Sequence, residues 1–163
     1  EIAVRIIRAC DELGIETVSI YSEADRESLH RKIATESYCI GPKQSKDSYL
    51  DMISIMTIAK STNCDAIHPG YGFLAENDDF AEMCEAMNII FVGPMPETIS
   101  TMGIKDVAKK TMQEAGVPTV PGSDGILNSI EHAKEVAETI GYPVIIKASH
   151  GGGGKGIRVA RND

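Results

Sequence analysis

Apolar residues over positions 1–92 switch back and forth between a helical and a strand-like spacing, and this alternation restricts the fold more than any other feature. Ile2, Val4, Ile6, Ile7, Cys10 and Leu13 recur at helical spacing, with Gly14 where a helix C-cap stands. Ile15 to Tyr21 is β-rich, and Ser37 to Ile40 is a second short strand stopped by Gly41-Pro42. Ser48 to Lys60 is helical, with Leu50, Ile53, Ile55, Met56 and Ile58 mostly on one side. Asp65 to His68 is a short strand closed by Pro69-Gly70. Asn77 can cap a helix running to about Met87, and Asp78, Asp79 and Glu82 suit its positive N-terminus. Ile89 to Val92 is a further strand, ended by Gly93-Pro94. Alternating elements of this kind favour an α/β fold, a parallel sheet with helices on both faces. Such a unit usually opens with a strand, whereas this chain opens with a helix at Glu1. The expectation is a fragment of a longer protein whose first strand is missing.

The character changes after residue 93. Pro96 to Gly103 and Ile104 to Ala115 read as two short helices. The proline- and glycine-rich run from Val117 to Gly125 then marks a domain boundary. Asn128 and Glu131 resemble a capping pair for a helix ending near Gly141. Val144 to Ala148 and Ile157 to Ala160 are strands separated only by a loop, so they form an antiparallel hairpin. The expected division is 1–93 as the parallel α/β domain, 94–119 as a helical linker, and 120–163 as the start of a second domain.

The hairpin loop carries Gly151, Gly152, Gly153 and Gly154, then Lys155 and Gly156. Gly151, Gly153 and Gly156 satisfy the dinucleotide pattern G-x-G-x-x-G, but a strand follows where that pattern needs a helix. The P-loop pattern fails too, because Gly154-Lys155 is followed by glycine rather than serine or threonine. Two readings remain, a bare flexible turn and a tip that folds over phosphates. A turn needs one or two glycines, so five in six favour the second. Without Cβ atoms, successive N–H groups can converge on an anion. Ordering six residues costs roughly 6–12 kcal/mol, at ~1–2 kcal/mol each. Several charge-assisted hydrogen bonds of ~1.5–3 kcal/mol can offset that. Lys147, inside the run Val144-Ile145-Ile146-Lys147-Ala148, is either harmlessly exposed or turned toward a nucleotide. Beside such a loop the second is favoured.

The net charge of −8 argues against a nucleic-acid surface, which needs clustered Lys and Arg. No run approaches the ~18 apolar residues of a membrane span, and no signal peptide is visible. Cys10, Cys39, Cys64 and Cys84 are widely spaced with no CxxC pair, so they read as reduced buried thiols, and the cytoplasm fits. The methionines read as core filler. His68 reads as structural and Glu76 as a charge at a helix start. His150 and Lys155 read as exposed.

Taken together, several stretches resemble the biotin carboxylase family. Tyr142 to Ser149 followed by Gly151 to Gly156 is similar to the family's ATP-grasp loop. His68-Pro69-Gly70-Tyr71-Gly72-Phe73-Leu74-Ala75-Glu76-Asn77 resembles the strand-to-helix signature of its N-terminal domain. Met102 to Asp106, Val120 to Ser123 and the opening Glu1 to Ala9 match as well, so the resemblance covers the whole chain. It implies a Rossmann-like (pre-ATP-grasp) domain followed by the start of an ATP-grasp domain whose lid carries the glycine loop. It implies an ATP- and Mg2+-dependent ligase that activates bicarbonate as carboxyphosphate and carboxylates biotin on a biotin carboxyl carrier protein. In acetyl-CoA carboxylase this step, with carboxyltransferase subunits, feeds malonyl-CoA and fatty acid synthesis; the family is often dimeric. The family's two ATP-binding lysines fall on Lys105 and Lys147. Its nucleotide-contacting glycines fall on Gly151, Gly152, Gly153 and Gly154, best on the last two. On residues alone, Lys105 sits with Lys109 and Lys110 on what looks like a solvated face.

Departures from the family matter too. Its first strand and Asn-Arg-Gly lead-in are absent here, and so is everything past Asp163, where its metal, bicarbonate and biotin residues lie. The implied fragment carries no catalytic residue or metal ligand and is not catalytic alone. Pyruvate and propionyl-CoA carboxylases share the same first half-reaction. A carbamoyl-phosphate-forming ATP-grasp ligase and a non-enzymatic nucleotide-binding module remain as alternatives.

Overall fold

The computed structural model describes residues 1–123, 125–148 and 156–163. The chain divides into two compact units, Glu1–Ile99 and Ser100–Asp163. The first opens with α1 (Ile2–Glu12) and continues through β1 (Val18–Ser22), α2 (Leu29–Ile33), β2 (Glu36–Gly41), α3 (Met52–Ser61), β3 (Ala66–Ile67), α4 (Asp78–Ala86) and β4 (Ile90–Phe91). β1 pairs in parallel with β2, and β3 in parallel with β4. α5 (Pro96–Gly103) contains the division between the units. The second unit holds α6 (Lys105–Glu114), α7 (Ile130–Ile140), β5 (Val144–Ile146) and β6 (Arg158–Ala160), the two strands antiparallel.

One device sets the alternation. α1, α3, α4 and α6 all end in the same six-to-one turn, with the chain reversed by a left-handed residue. Ile15 N–H reaches the Cys10 carbonyl at 2.8 Å, Cys64 reaches Ala59 at 2.8 Å, Ile89 reaches Cys84 at 2.9 Å and Val117 reaches Met112 at 2.9 Å. The left-handed positions are Gly14, Asn63, Asn88 and Gly116. Asparagine tolerates that conformation better than most side chains, which is why two of the four stops carry no glycine. After each turn an apolar residue (Ile15, Cys64, Ile89 or Val117) leads the chain away.

Helix starts are equally local. Asp51 accepts from the Ser54 N–H at the start of α3, and Asn77 from the Phe80 N–H at 2.7 Å at the start of α4. At α7 the expected Asn128 cap is replaced by its neighbour. The Ser129 hydroxyl accepts from His132 N–H at 3.1 Å, so the helix begins one residue later than the Asn128–Glu131 pair requires. α2 has no signal strong enough to read, because five residues give too few apolar repeats.

The core of the first unit gathers Ile40, Ile55, Met56, Ala59, Leu74, Phe80, Cys84 and Ile89. Phe80 is 1% exposed and meets Phe91 edge-on at 6.2 Å. Of the methionines expected as core filler, Met56 is buried and Met52 and Met83 pack against the core, while Met87, Met95 and Met102 lie on the surface. The four thiols are free, as expected; Cys84 is buried, but Cys39 is exposed because it alternates with Ile40 on β2. Burial pushes the Cys84 thiol up.

β1 and β3 are not paired with each other, and both line one groove of about 1510 Å³. Ile7, Ile20, Ile55 and Phe80 also line it. The Ser19 hydroxyl of β1, in the same lining, is buried without a hydrogen-bond partner.

Candidate functional site

The expected nucleotide-binding residues fall in the second unit. In the β5–β6 hairpin, Val144 pairs with Ala160, Ile145 with Val159 and Ile146 with Arg158. β5 stops at Ile146, so Lys147 is not inside the strand as expected but one residue beyond it, and it is exposed. The hairpin is largely uncovered: Ile145 is 58% and Val159 55% exposed. Two strands alone cannot bury both faces of a hairpin. Lys147 therefore carries no burial penalty and stands at the mouth of the connecting loop. Gly151, Gly152, Gly153 and Gly154, with His150 and Lys155, lie outside the described residues.

Arg158 escaped the sequence reading. It sits opposite Ile146 at the same mouth, exposed, its Nη1 donating to the Ile157 carbonyl at 2.8 Å. The signal was available in the spacing, since a hairpin over this loop puts the residue before Lys147 across from Arg158.

Lys105 is the first residue of α6 and is exposed. The lysines expected to share its face are engaged differently. Lys109 donates to the Ser123 carbonyl at 2.9 Å, pinning the segment after the helix, and Lys110 pairs weakly with Glu114 at 3.9 Å. Lys105 lies at the N-terminal end of the helix, where the macrodipole disfavours a cation.

A second constellation lies at the carboxyl ends of the first unit's strands, the edge where open α/β sheets take ligands. The Tyr49 hydroxyl donates to Asp25 at 2.5 Å and accepts from the Ser22 N–H at 2.9 Å. Asp25 also accepts from the hydroxyls of Ser22 at 3.0 Å and Ser28 at 3.5 Å. The Tyr49 bond, with these hydroxyls and nearby His30, holds the Asp25 carboxyl below its ordinary range. Burial, and then the bond to Asp25, pushes the Tyr49 phenol up. The Tyr49 ring stacks on Phe73 at 5.3 Å. Phe73 belongs to the turn after β3, where His68 Nδ1 accepts from the Gly70 N–H at 3.1 Å, in keeping with its structural reading. Glu76 is exposed, and it is Asn77 that caps α4.

Among the described residues no three His, Cys, Asp or Glu side chains are gathered to hold a metal ion. No helix among them is long and apolar enough to cross a membrane.

Residues 1–99 match the family described as biotin carboxylase, N-terminal domain, and residues 105–163 that described as carbamoyl-phosphate synthase L chain, ATP binding domain. The chain is 66% identical to biotin carboxylase 1 of Bacillus subtilis over 163 residues, which is 100% of this chain and 36% of that protein. It superposes on the biotin carboxylase–β,γ-ATP complex of Campylobacter jejuni with a TM-score of 0.93 at 50% identity, covering 99% of this chain and 36% of that one. The biotin carboxylase domain of Hydrogenobacter thermophilus 2-oxoglutarate carboxylase, solved with MgADP and bicarbonate, gives 0.90 at 55% identity, covering 99% and 35%. The chain spans about a third of the length of the curated relatives it matches.

Proposed function

The chain belongs to the biotin carboxylase family, and from that premise we propose that its full-length protein carboxylates biotin at the expense of ATP and bicarbonate. The observation that carries this reading is the two family matches in succession, 1–99 and 105–163, with Lys147 at the mouth of the hairpin that bears the glycine loop. In this reading residues 1–93 form the N-terminal domain, 94–119 a linker, and 120–163 part of the ATP-grasp lid. The groove between β1 and β3 takes a strand of the same protein that precedes Glu1; its apolar lining, the unpaired β1–β3 boundary and the orphaned Ser19 hydroxyl support this.

A bicarbonate oxygen attacks the γ-phosphorus, the bond to the β,γ-bridging oxygen breaks, and ADP leaves. Carboxyphosphate then passes its carboxyl group to a biotin nitrogen, which gives up its proton, and phosphate is released. Lys147, Lys105 and the N–H groups of Gly151, Gly152, Gly153 and Gly154 bind the nucleotide and stabilise charge as the phosphoryl group moves. A closed lid keeps water from carboxyphosphate. Magnesium would neutralise phosphate charge, with its protein ligands coming from beyond residue 163.

The parent is read as the biotin carboxylase of a cytoplasmic acetyl-CoA carboxylase, acting as a homodimer with a biotin carboxyl carrier protein and carboxyltransferase subunits. The 66% identity to a biotin carboxylase supports the carboxylation step itself, and the 55% identity to a 2-oxoglutarate carboxylase small subunit makes a keto-acid carboxylase the second reading.

ADP release by the full-length protein with bicarbonate, with and without free biotin, tests the reading. Biotin should stimulate turnover. Lys147→Ala should lower kcat/KM by about 10- to 150-fold, the loss of one charge-assisted contact of ~1.5–3 kcal/mol. Turnover indifferent to biotin points instead to a carbamoyl-phosphate-forming ligase, and a folded protein without turnover to a binding module.

A further inference from the structure

The turn after β3 is held in a conformation its own residues disfavour. Gly70 and Gly72 have φ of 75° and 77°, which glycine adopts freely, but Phe73 has φ of 45°. A bulky residue in the left-handed region is strained and persists only where its surroundings over-determine it. Two features do so here. Leu74, the next residue, is buried in the core, and the Phe73 ring lies against Tyr49 with an interplanar angle of 24°. Phe73 is itself 57% exposed, so burial does not explain its place. Tyr49 is in turn fixed from the far side of the groove by the end of β1, through Asp25 and the Ser22 N–H. The chain of contacts thus runs from β1, through the segment after β2, to the turn after β3. At the apex of that turn Tyr71 is held 82% exposed.

We infer that Tyr49 is a positioning residue, whose anchored ring holds the 68–73 turn in its strained form at the carboxyl edge of the sheet. The inference rests on the biotin carboxylation reading for what the turn then serves. In that reading the nucleotide is held by Lys105, Lys147 and the glycine loop of the second unit, whereas the turn belongs to the unit Glu1–Ile99, so its displacement is expected to act on biotin rather than on ATP.

The test uses the full-length protein with Tyr49→Leu, Tyr49→Phe and Phe73→Gly, read by steady-state kinetics, melting temperature and chymotryptic cleavage after Tyr71. Phe73→Gly is informative because it relieves the backbone strain while removing the stack. It should melt no lower than the parent protein, yet lose activity, which a merely stabilising contact would not do. Tyr49→Leu and Phe73→Gly should each lower kcat/KM for biotin by about tenfold, leave KM for ATP within about twofold, and speed cleavage after Tyr71 by about tenfold. Tyr49→Phe keeps the ring but loses the hydroxyl that anchors it, and should fall between the parent protein and Tyr49→Leu in both. Unchanged kinetics and cleavage in folded Phe73→Gly would overturn the inference, as would a loss shared equally by the ATP term. If the parent protein shows no biotin-dependent turnover, the functional reading fails, and the cleavage rates alone decide whether Tyr49 holds the turn.

Discussion

Gly41 and Gly14 allow the same substitution to be made in two different surroundings. Both have positive φ, 146° and 70°. A Cβ added at Gly14 meets nothing within 4 Å, whereas one at Gly41 would overlap the Asp47 carbonyl oxygen, with the Asp47 carbonyl carbon at 3.3 Å and Ser48 Cβ at 3.5 Å. The obstacle is backbone in a turn that the buried Ser48 hydroxyl closes onto the Gln44 carbonyl at 2.8 Å, so no rotamer change relieves it. Gly14→Ala should therefore lose only the left-handed penalty, ~1–2 kcal/mol. Gly41→Ala adds overpacking of ~1–3 kcal/mol to a backbone strain of ~1–3 kcal/mol, or roughly 2–6 kcal/mol in all. With a urea slope of ~1–3 kcal/mol per molar, the Gly41→Ala midpoint should fall by about 1–3 M and that of Gly14→Ala by about half as much or less. Equal shifts for the two variants would refute the reasoning, because the space around the added methyl is what separates them. The displaced turn also carries Tyr49, so Gly41→Ala should reproduce the rapid cleavage after Tyr71.

Two further outcomes follow from the same contacts. Asn77→Ala leaves the first turn of α4 without its acceptor for Phe80 N–H, and should lower stability by about 1 kcal/mol, read as a melting shift of ~2–4 °C for a chain of this length. Asp25 has its folded pKa lowered, chiefly by Tyr49, so its contribution is present above the unfolded carboxylate value of ~3.9 and is lost as pH falls through the folded value. Tyr49→Phe should flatten the dependence of stability on pH below ~4, and an unchanged acid limb would contradict that.

Much of the first unit can be read from local chemistry. Asn77 caps its helix because its side chain needs only a backbone N–H three residues ahead, and Gly14 ends its helix because it alone has no Cβ to clash. Asn63 and Asn88 do the same work without a distinct signal, since asparagine suits a turn, a cap or a surface equally well. The Asn128 and Ser129 candidates at α7 differ by a rotation of the first turn, which neighbouring residues do not encode. Lys147 lies one residue past the strand expected to hold it, because an apolar run records side-chain type and not where strand pairing stops.

The periodicity, the stops and the glycine run are properties of neighbours along the chain, and they alone determined an α/β unit followed by a glycine-tipped hairpin. Tertiary structure decided what depends on residues far apart in sequence. Asp25, Tyr49 and Phe73 are unremarkable singly, and only the fold brings the ends of three strands close enough for a hydroxyl and two rings to tie them together. The strain at Phe73 is equally invisible in the sequence, because φ is set by the packing that holds it rather than by the residue that bears it.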